Sequence, residues 1–130
     1  MEITIELKGL EAVEAKLGRL GAFEAMEAPM TEATALVQAA MEEYPPAIAG
    51  SGYRRTMTLG RRWTSRVESL ASEVVGVVGN DTVYAPYVQG ELQARVHQGR
   101  WQTGQAVLEK LRGKIVEFFT REIQRLIASG

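Results

Sequence analysis

The chain has 130 residues, 45% of them hydrophobic and 24% charged, ordinary values for one globular domain with its own core. A net charge of −1 argues against a dedicated nucleic-acid binder, and the absence of cysteine excludes disulfides and thiolate metal sites. No apolar run reaches the ~20 residues of a membrane span, and the opening MEITIELKG alternates and carries acids, unlike a signal peptide.

Ile3, Ile5 and Leu7 alternate with Glu2, Thr4 and Glu6, which predicts a strand over 2–8 that Gly9 ends. Leu10, Val13, Leu17 and Leu20 recur at three- and four-residue steps, so 10–20 reads as an amphipathic helix. A second helix is expected over 29–44. Pro29 suits its first turn, Glu27 and Glu32 suit its positive end, and Met30, Ala33, Val37, Ala40, Met41 and Tyr44 form one stripe. Pro45 and Pro46 stop it, because proline lacks the amide donor.

Residues 45–61 read as a long connection, expected to be mobile in an isolated subunit and to become ordered on assembly. Its Gly50-Ser51-Gly52 piece lacks the lysine and the strand-to-helix setting of a phosphate loop. Trp63, Ser65 and Val67 alternate with polar residues, giving a strand over 61–68. The valine-rich Glu73–Val78 is its antiparallel hairpin partner across a turn at 69–72. Asn80-Asp81 is placed to cap a short helix beginning near Val83, with Tyr84, Tyr87 and Val88 at helical spacing and Gly90 at its end. A short strand is expected over 94–98.

Thr103 is a suitable N-cap for a last helix over 104–128, whose apolar face includes Val107, Leu111, Ile115, Phe119, Ile123 and Leu126. The pattern β-α-α-β-β-(α)-β-α predicts a single α+β domain over 1–130. A small mixed or antiparallel sheet would carry an N-terminal helix pair and a long C-terminal helix. The expected core comprises Val37, Met41, Trp63, Val75, Val77, Tyr84, Leu111, Ile115 and Phe119.

Little points to catalysis. His97 is the sole histidine, no carboxylate cluster surrounds it in sequence, and no spacing favours pairing it with Ser51 or Ser65. Beside Trp101 it reads as a packed residue. The chain is therefore read as a non-enzyme that needs no cofactor or metal.

The arginine-rich stretch is more informative. Arg54, Arg55, Arg61, Arg62 and Arg66 are interleaved with Tyr53 and Trp63, a mixture suited to single-stranded nucleic acid or to protein–protein contact. Charge is also uneven along the chain. The first fifty residues carry nine acids and three bases, a net −6, and the remainder carries seven acids and twelve bases, a net +5. Arg54 to Arg66 on one side, and Glu24, Glu27, Glu32, Glu42 and Glu43 on the other, are candidate halves of a head-to-tail interface.

A family resemblance rests on several of these residues. The proline-containing break after the second helix, then Tyr53-Arg54-Arg55-Thr56-Met57-Thr58-Leu59 and Arg61-Arg62-Trp63, resembles the "P…RTGTLRRSW"-like segment of bacteriophage tail-completion proteins, with Met57 where the pattern has glycine. Val83-Tyr84-Ala85-Pro86-Tyr87-Val88-Gln89-Gly90 resembles their "YA-x-YV-E/Q-x-G" segment, and His97 to Trp101 with the closing helix also fits; the likeness covers roughly residues 29–127. The resemblance implies a neck or minor tail protein of a long-tailed phage, also described as a head–tail joining protein. It implies assembly in the host cytoplasm into a ring, with sixfold symmetry preferred. Its partners would be copies of itself and the tail-tube and head-connector proteins, with DNA only passing through the lumen and no membrane contact. Two other classes stay open: a small ribonuclease toxin using His97, and a nucleic-acid-binding module using the arginines.

Overall fold

The structure is a computed structural model that describes residues 1–9, 15, 22–46, 58–69 and 73–129. Apart from Ala15, which is helical, the expected helix over 10–20 lies outside the described residues, as do the turn at 69–72 beyond Ser69 and residues 47–57 of the long connection.

Three strands form an antiparallel sheet in the order β1-β3-β2: β1 is Glu2–Lys8, β2 is Trp63–Ser69 and β3 is Glu73–Asn80. The expected hairpin is therefore β2 and β3, and β1 pairs with the other side of β3. The central position explains why β3 is valine-rich and lacks the clean alternation of its neighbours. Its Val74 and Val78 face the helices, and Val75 and Val77 are buried on the opposite face as well. On that opposite face Val77 lies between Thr4 and Arg66, and Val75 between Glu6 and Glu68. Arg66 reaches both Glu68 in its own strand (2.7 Å) and Glu2 in β1 (3.3 Å), spanning the width of the sheet.

The inner face is covered by two long helices. After the short α1 (Ala22–Ala25), α2 runs over Glu27–Met41, starting earlier and stopping sooner than the 29–44 expectation. Its Met30, Ala33, Val37 and Met41 are buried as the stripe predicts. A glycine at β3 position 76 makes the approach of α2 possible. A Cβ there would stand 2.5 Å from Thr34 Cγ2 and 2.6 Å from Met30 Sδ. The direction of α2 is fixed by two bonds. Ser69 Oγ donates to Glu27 at 2.7 Å, and Gln38 Nε2 donates to the Trp63 carbonyl at 3.1 Å. The helix thus runs antiparallel to β2.

Next come α3 (Thr58–Arg61), α4 (Ala85–Gln89), a 3-10 turn at Arg95–His97 and α5 (Gly104–Ser129). Thr103 caps α5 as expected, its Oγ1 accepting from the Ala106 amide at 3.2 Å. At 26 residues α5 is roughly 39 Å long at 1.5 Å per residue. It packs on α2 and places Val107, Ile115 and Phe119 in the core, with Leu111 half-buried at its edge.

Three expectations need correction. The strand over 94–98 is a 3-10 turn. The amides of Ala94, His97 and Gln98 bond to Tyr87, Ala94 and Arg95, and those of Arg100 and Trp101 both bond to His97, so local turns use the donors a strand would need. Tyr84 is 44% exposed, because α4 begins one residue after it and turns Ala85 and Val88 inward instead. Asn80 does not cap α4. Its Oδ1 accepts from the Thr82 amide and hydroxyl, an Asx-type turn two residues on, and the residue at the N-cap is Tyr84.

Candidate functional site

The segment between β3 and α5 concentrates the exposed apolar side chains. Val83 (88% exposed), Tyr84, Tyr87, Leu92 and Val96 (68% exposed) all lie within fourteen consecutive residues. Large apolar residues left in water at this density are characteristic of a contact surface rather than of scattered surface hydrophobes. Sequence reading singled out the tyrosines but placed Tyr84 in the core, and it passed over Val83, Leu92 and Val96. Val83, Leu92 and Val96 all lie outside the five-residue α4, so no helical period marked them.

What holds this segment in place is a pair of side-chain amides, one buried and one half-buried. Gln89 is 1% exposed, and its Nε2 donates to the Met41 carbonyl at the end of α2 (3.2 Å) and to the Gln102 carbonyl before α5 (3.3 Å). Gln93 Nε2 donates to the carbonyls of Val88 (2.7 Å) and Trp101 (2.9 Å). Two glutamines on either side of Gly90 thereby close the segment on itself and fasten it to both long helices. Gly90 ends α4 for a steric reason, since a Cβ there would meet the Pro86 backbone at 2.7 Å.

Underneath, Leu59, Ala85 and Val88 form a small second core with Met1 and Trp101 against it. Asn80 is 2% exposed, and its Nδ2 donates to the Leu59 carbonyl at 2.8 Å, joining α3 to the end of β3. Trp101 meets the Tyr44 ring edge-on at 5.0 Å, and the Tyr44 hydroxyl accepts from the Gly60 amide at 2.9 Å. Arg100 donates to the Pro46 carbonyl at 3.2 Å. The ends of α2, α3 and β3 and the residues just before α5 therefore converge around α4.

His97 packs edge-on to Trp101 with ring centroids 6.4 Å apart. Its buried Nδ1 finds no hydrogen-bond partner among the described residues, and the Gln89 Oε1 and Trp63 Nε1 are in the same position. Among the described residues no group of three or more His, Asp or Glu side chains could hold a metal ion, and no helix is long and apolar enough to cross a membrane.

The predicted interface residues are distributed unevenly. Tyr53, Arg54 and Arg55, with Ser51, lie outside the described residues. Arg61 is exposed at the end of α3. Arg62 forms a bidentate pair with Asp81, Nε to Oδ1 at 2.8 Å and the second nitrogen to Oδ2 at 2.7 Å. That pair, through its hydrogen bonds first and its charge second, holds the Asp81 carboxyl below the ordinary carboxylate range and raises the Arg62 guanidinium. Arg66 is engaged by Glu68 and Glu2. Two of the three described arginines in the stretch are thus committed within the chain. A nucleic-acid phosphate would have to displace a carboxylate from each.

Glu32, Glu42 and Glu43 are all exposed on α2 and its C-terminal cap. Because α2 is antiparallel to β2, Glu42 and Glu43 lie at the same end of the domain as Arg61 and Arg62. The acidic and basic halves of the sequence are interleaved at that end, although they are far apart along the chain.

The chain matches no family model, no curated protein and no solved structure.

Proposed function

We propose that this chain is a structural subunit of a long-tailed phage particle, forming a ring in the neck or tail that completes the tail or joins it to the head connector. The observation that carries the reading is the coincidence of two features in one segment. Val83 to Gly90 bears the resemblance to tail-completion proteins, and the same residues begin the run of exposed apolar side chains in the segment that Gln89 and Gln93 tie down by hydrogen bonds. A row of aromatic and aliphatic side chains on a preorganised base loses little entropy on docking, which is what a subunit working only by contacts requires. In this reading Val83, Tyr84, Tyr87, Leu92 and Val96 meet the neighbouring tail-tube ring. Arg61, Glu42 and Glu43 form part of the polar rim.

The test is the mass of the purified protein in solution, alone and with the tail-tube protein of the same phage, compared with that of a Tyr84→Ser, Tyr87→Ser variant. The expected result is a ring-sized species that binds the tail-tube protein, and a folded variant that does not. A parent protein that stays monomeric with or without the tail-tube protein would overturn the ring. A variant that binds as the parent does would remove the tyrosines from the contact.

A further inference from the structure

Both outer strands of the sheet have an edge that is unpaired among the described residues, and the register fixes which backbone groups point out of it. The Met1 ammonium donates to the Asn80 carbonyl at 3.0 Å, and the Asn80 amide returns a bond to the Met1 carbonyl at 2.9 Å. Bonded pairs alternate along an antiparallel ladder. Ile3, Ile5 and Leu7 therefore bond to β3, and Glu2, Thr4, Glu6 and Lys8 turn their N–H and C=O groups away from it. On its other side β3 bonds through Val75, Val77 and Gly79 to Glu68, Arg66 and Thr64, so Trp63, Ser65, Val67 and Ser69 point out of β2. The Trp63 carbonyl agrees with that phase, since it accepts from Gln38 of α2. Ile5, Leu7 and Val67 face the helices but are only half-buried, and Ser65 is exposed, as open edges leave them. β1 and β2 are each antiparallel to β3, so the two edges run parallel to one another, seven residues each.

We infer that β2 of one copy pairs with β1 of the next, so that the sheet runs on from subunit to subunit. An open edge calls for an extended backbone, and the side chains along it name a second copy as the source. A copy related by rotation without inversion presents its β1 parallel to β2. In a parallel pair, a residue whose backbone groups point out of its strand sits opposite one whose groups point back. That sets Ser65 opposite Ile3, Ile5 or Leu7 and keeps the helices of both copies on one side. Charge selects among the three registers. With Ser65 opposite Ile3, Glu68 falls beside Glu6, and with Ser65 opposite Leu7, Arg66 falls beside Lys8; each is a like-charge pair. With Ser65 opposite Ile5, Arg66 falls beside Glu6, Glu68 beside Lys8 and Thr64 beside Thr4, and Val67 meets Leu7 on the helix side. Glu2 of that copy then lies level with Arg62, just ahead of β2, so every charge on the β1 edge meets one of opposite sign. Arg66 can serve both copies. Glu68 and Glu2 of its own chain take Nε and Nη1, and Nη2 has no partner among the described residues. The contact is heterologous and propagates from copy to copy until it closes. It supplies the link between copies in the proposed ring, and it rests on that reading.

The chain has no cysteine, so a crosslink can report the register directly. In the full-length variant Thr4→Cys with Thr64→Cys, both positions are exposed and face the same side of the sheet. Within one copy β3 stands between them, a separation of roughly 9–10 Å at two strand spacings, which is beyond the ~7 Å between Cα atoms that a disulfide can bridge. Between copies they sit opposite each other on neighbouring strands. Mild oxidation of the double variant should give a ladder of linked chains on a non-reducing gel, and neither single variant should link. Ser65→Pro removes an amide that points out of β2 and leaves the β2–β3 bonds in place. Its circular dichroism should match the parent, and its ring-sized species should be lost in sedimentation velocity. If the parent assembles, a double variant without a ladder, or a folded Ser65→Pro that assembles as the parent does, would overturn the edge pairing and leave the ring to be made elsewhere. Dimers linked through Thr4→Cys or Thr64→Cys alone would overturn it in favour of a two-fold contact. A parent protein that never assembles would overturn the ring and this contact together.

Discussion

Gln89 donates from its side-chain amide to the Met41 carbonyl at 3.2 Å, across 48 positions of sequence. The bond ties the short helix under the exposed apolar row to the end of α2, and a second bond from the same nitrogen ties it to Gln102 ahead of α5. One buried amide thus sets the position of a surface in which it does not itself take part.

Replacing Gln89 with leucine keeps much of the volume and removes the donor. The Met41 and Gln102 carbonyls would each lose a partner, at a cost of about 1–3 kcal/mol per unsatisfied group. The urea midpoint should fall, and binding of tail-tube protein should weaken although Tyr84 and Tyr87 are untouched. A variant as stable as the parent would show that water satisfies both carbonyls.

Gly76→Ala should destabilise the domain by about 1–3 kcal/mol, the usual cost of overpacking a close contact. The new methyl would stand 2.5 Å from Thr34 Cγ2 and 2.6 Å from the Met30 sulfur. The sulfur is at a flexible position and can swing aside, whereas the threonine methyl is held by a stiff branched side chain. Adding Thr34→Ser removes that methyl and should restore part of the loss. Thermal unfolding of the two variants and the pair measures the coupling, and strictly additive losses would mean the helix moves as a body.

The Arg62–Asp81 pair gives a pH prediction. Asp81 titrates below the ordinary carboxylate range because Arg62 donates two hydrogen bonds to it. A folded-state value lowered in this way stabilises above the unfolded carboxylate value. That stabilisation disappears as pH falls through the folded value. Both side chains are more than half exposed, so the effect on stability is small, and the readout is the titration itself. In NMR spectra the Asp81 carboxyl should titrate at lower pH than an ordinary aspartate and return to the ordinary range in Arg62→Gln. Identical titration curves would mean that solvent separates the pair.

Much of the fold was legible because it depends on local periodicity. Ile3, Ile5 and Leu7 alternate, and they form the inner face of β1. Met30, Ala33, Val37 and Met41 recur at helical spacing, and they are the buried side of α2. Thr103 caps α5 because a hydroxyl before a helix satisfies a free amide wherever the helix goes. The long helices, the β2–β3 hairpin and the α+β class follow from such signals.

The remaining features depend on partners distant in sequence. The central place of β3 follows from β1 pairing with it across some seventy residues, which no local pattern encodes. Tyr84 is exposed and Ala85 buried because α4 starts at Ala85, two residues after the expected start near Val83, with Gln89 drawn inward to meet Met41. The segment over 94–98 turns instead of extending because its amides find acceptors in Tyr87, Ala94 and Arg95 before any strand edge. Charge followed the same rule. Linear counting separates acids from bases, but antiparallel packing of α2 on β2 brings Glu42 and Glu43 to the end that holds Arg61 and Arg62. Composition along a chain determines how much charge there is, and the direction in which its elements pack determines which charges become neighbours.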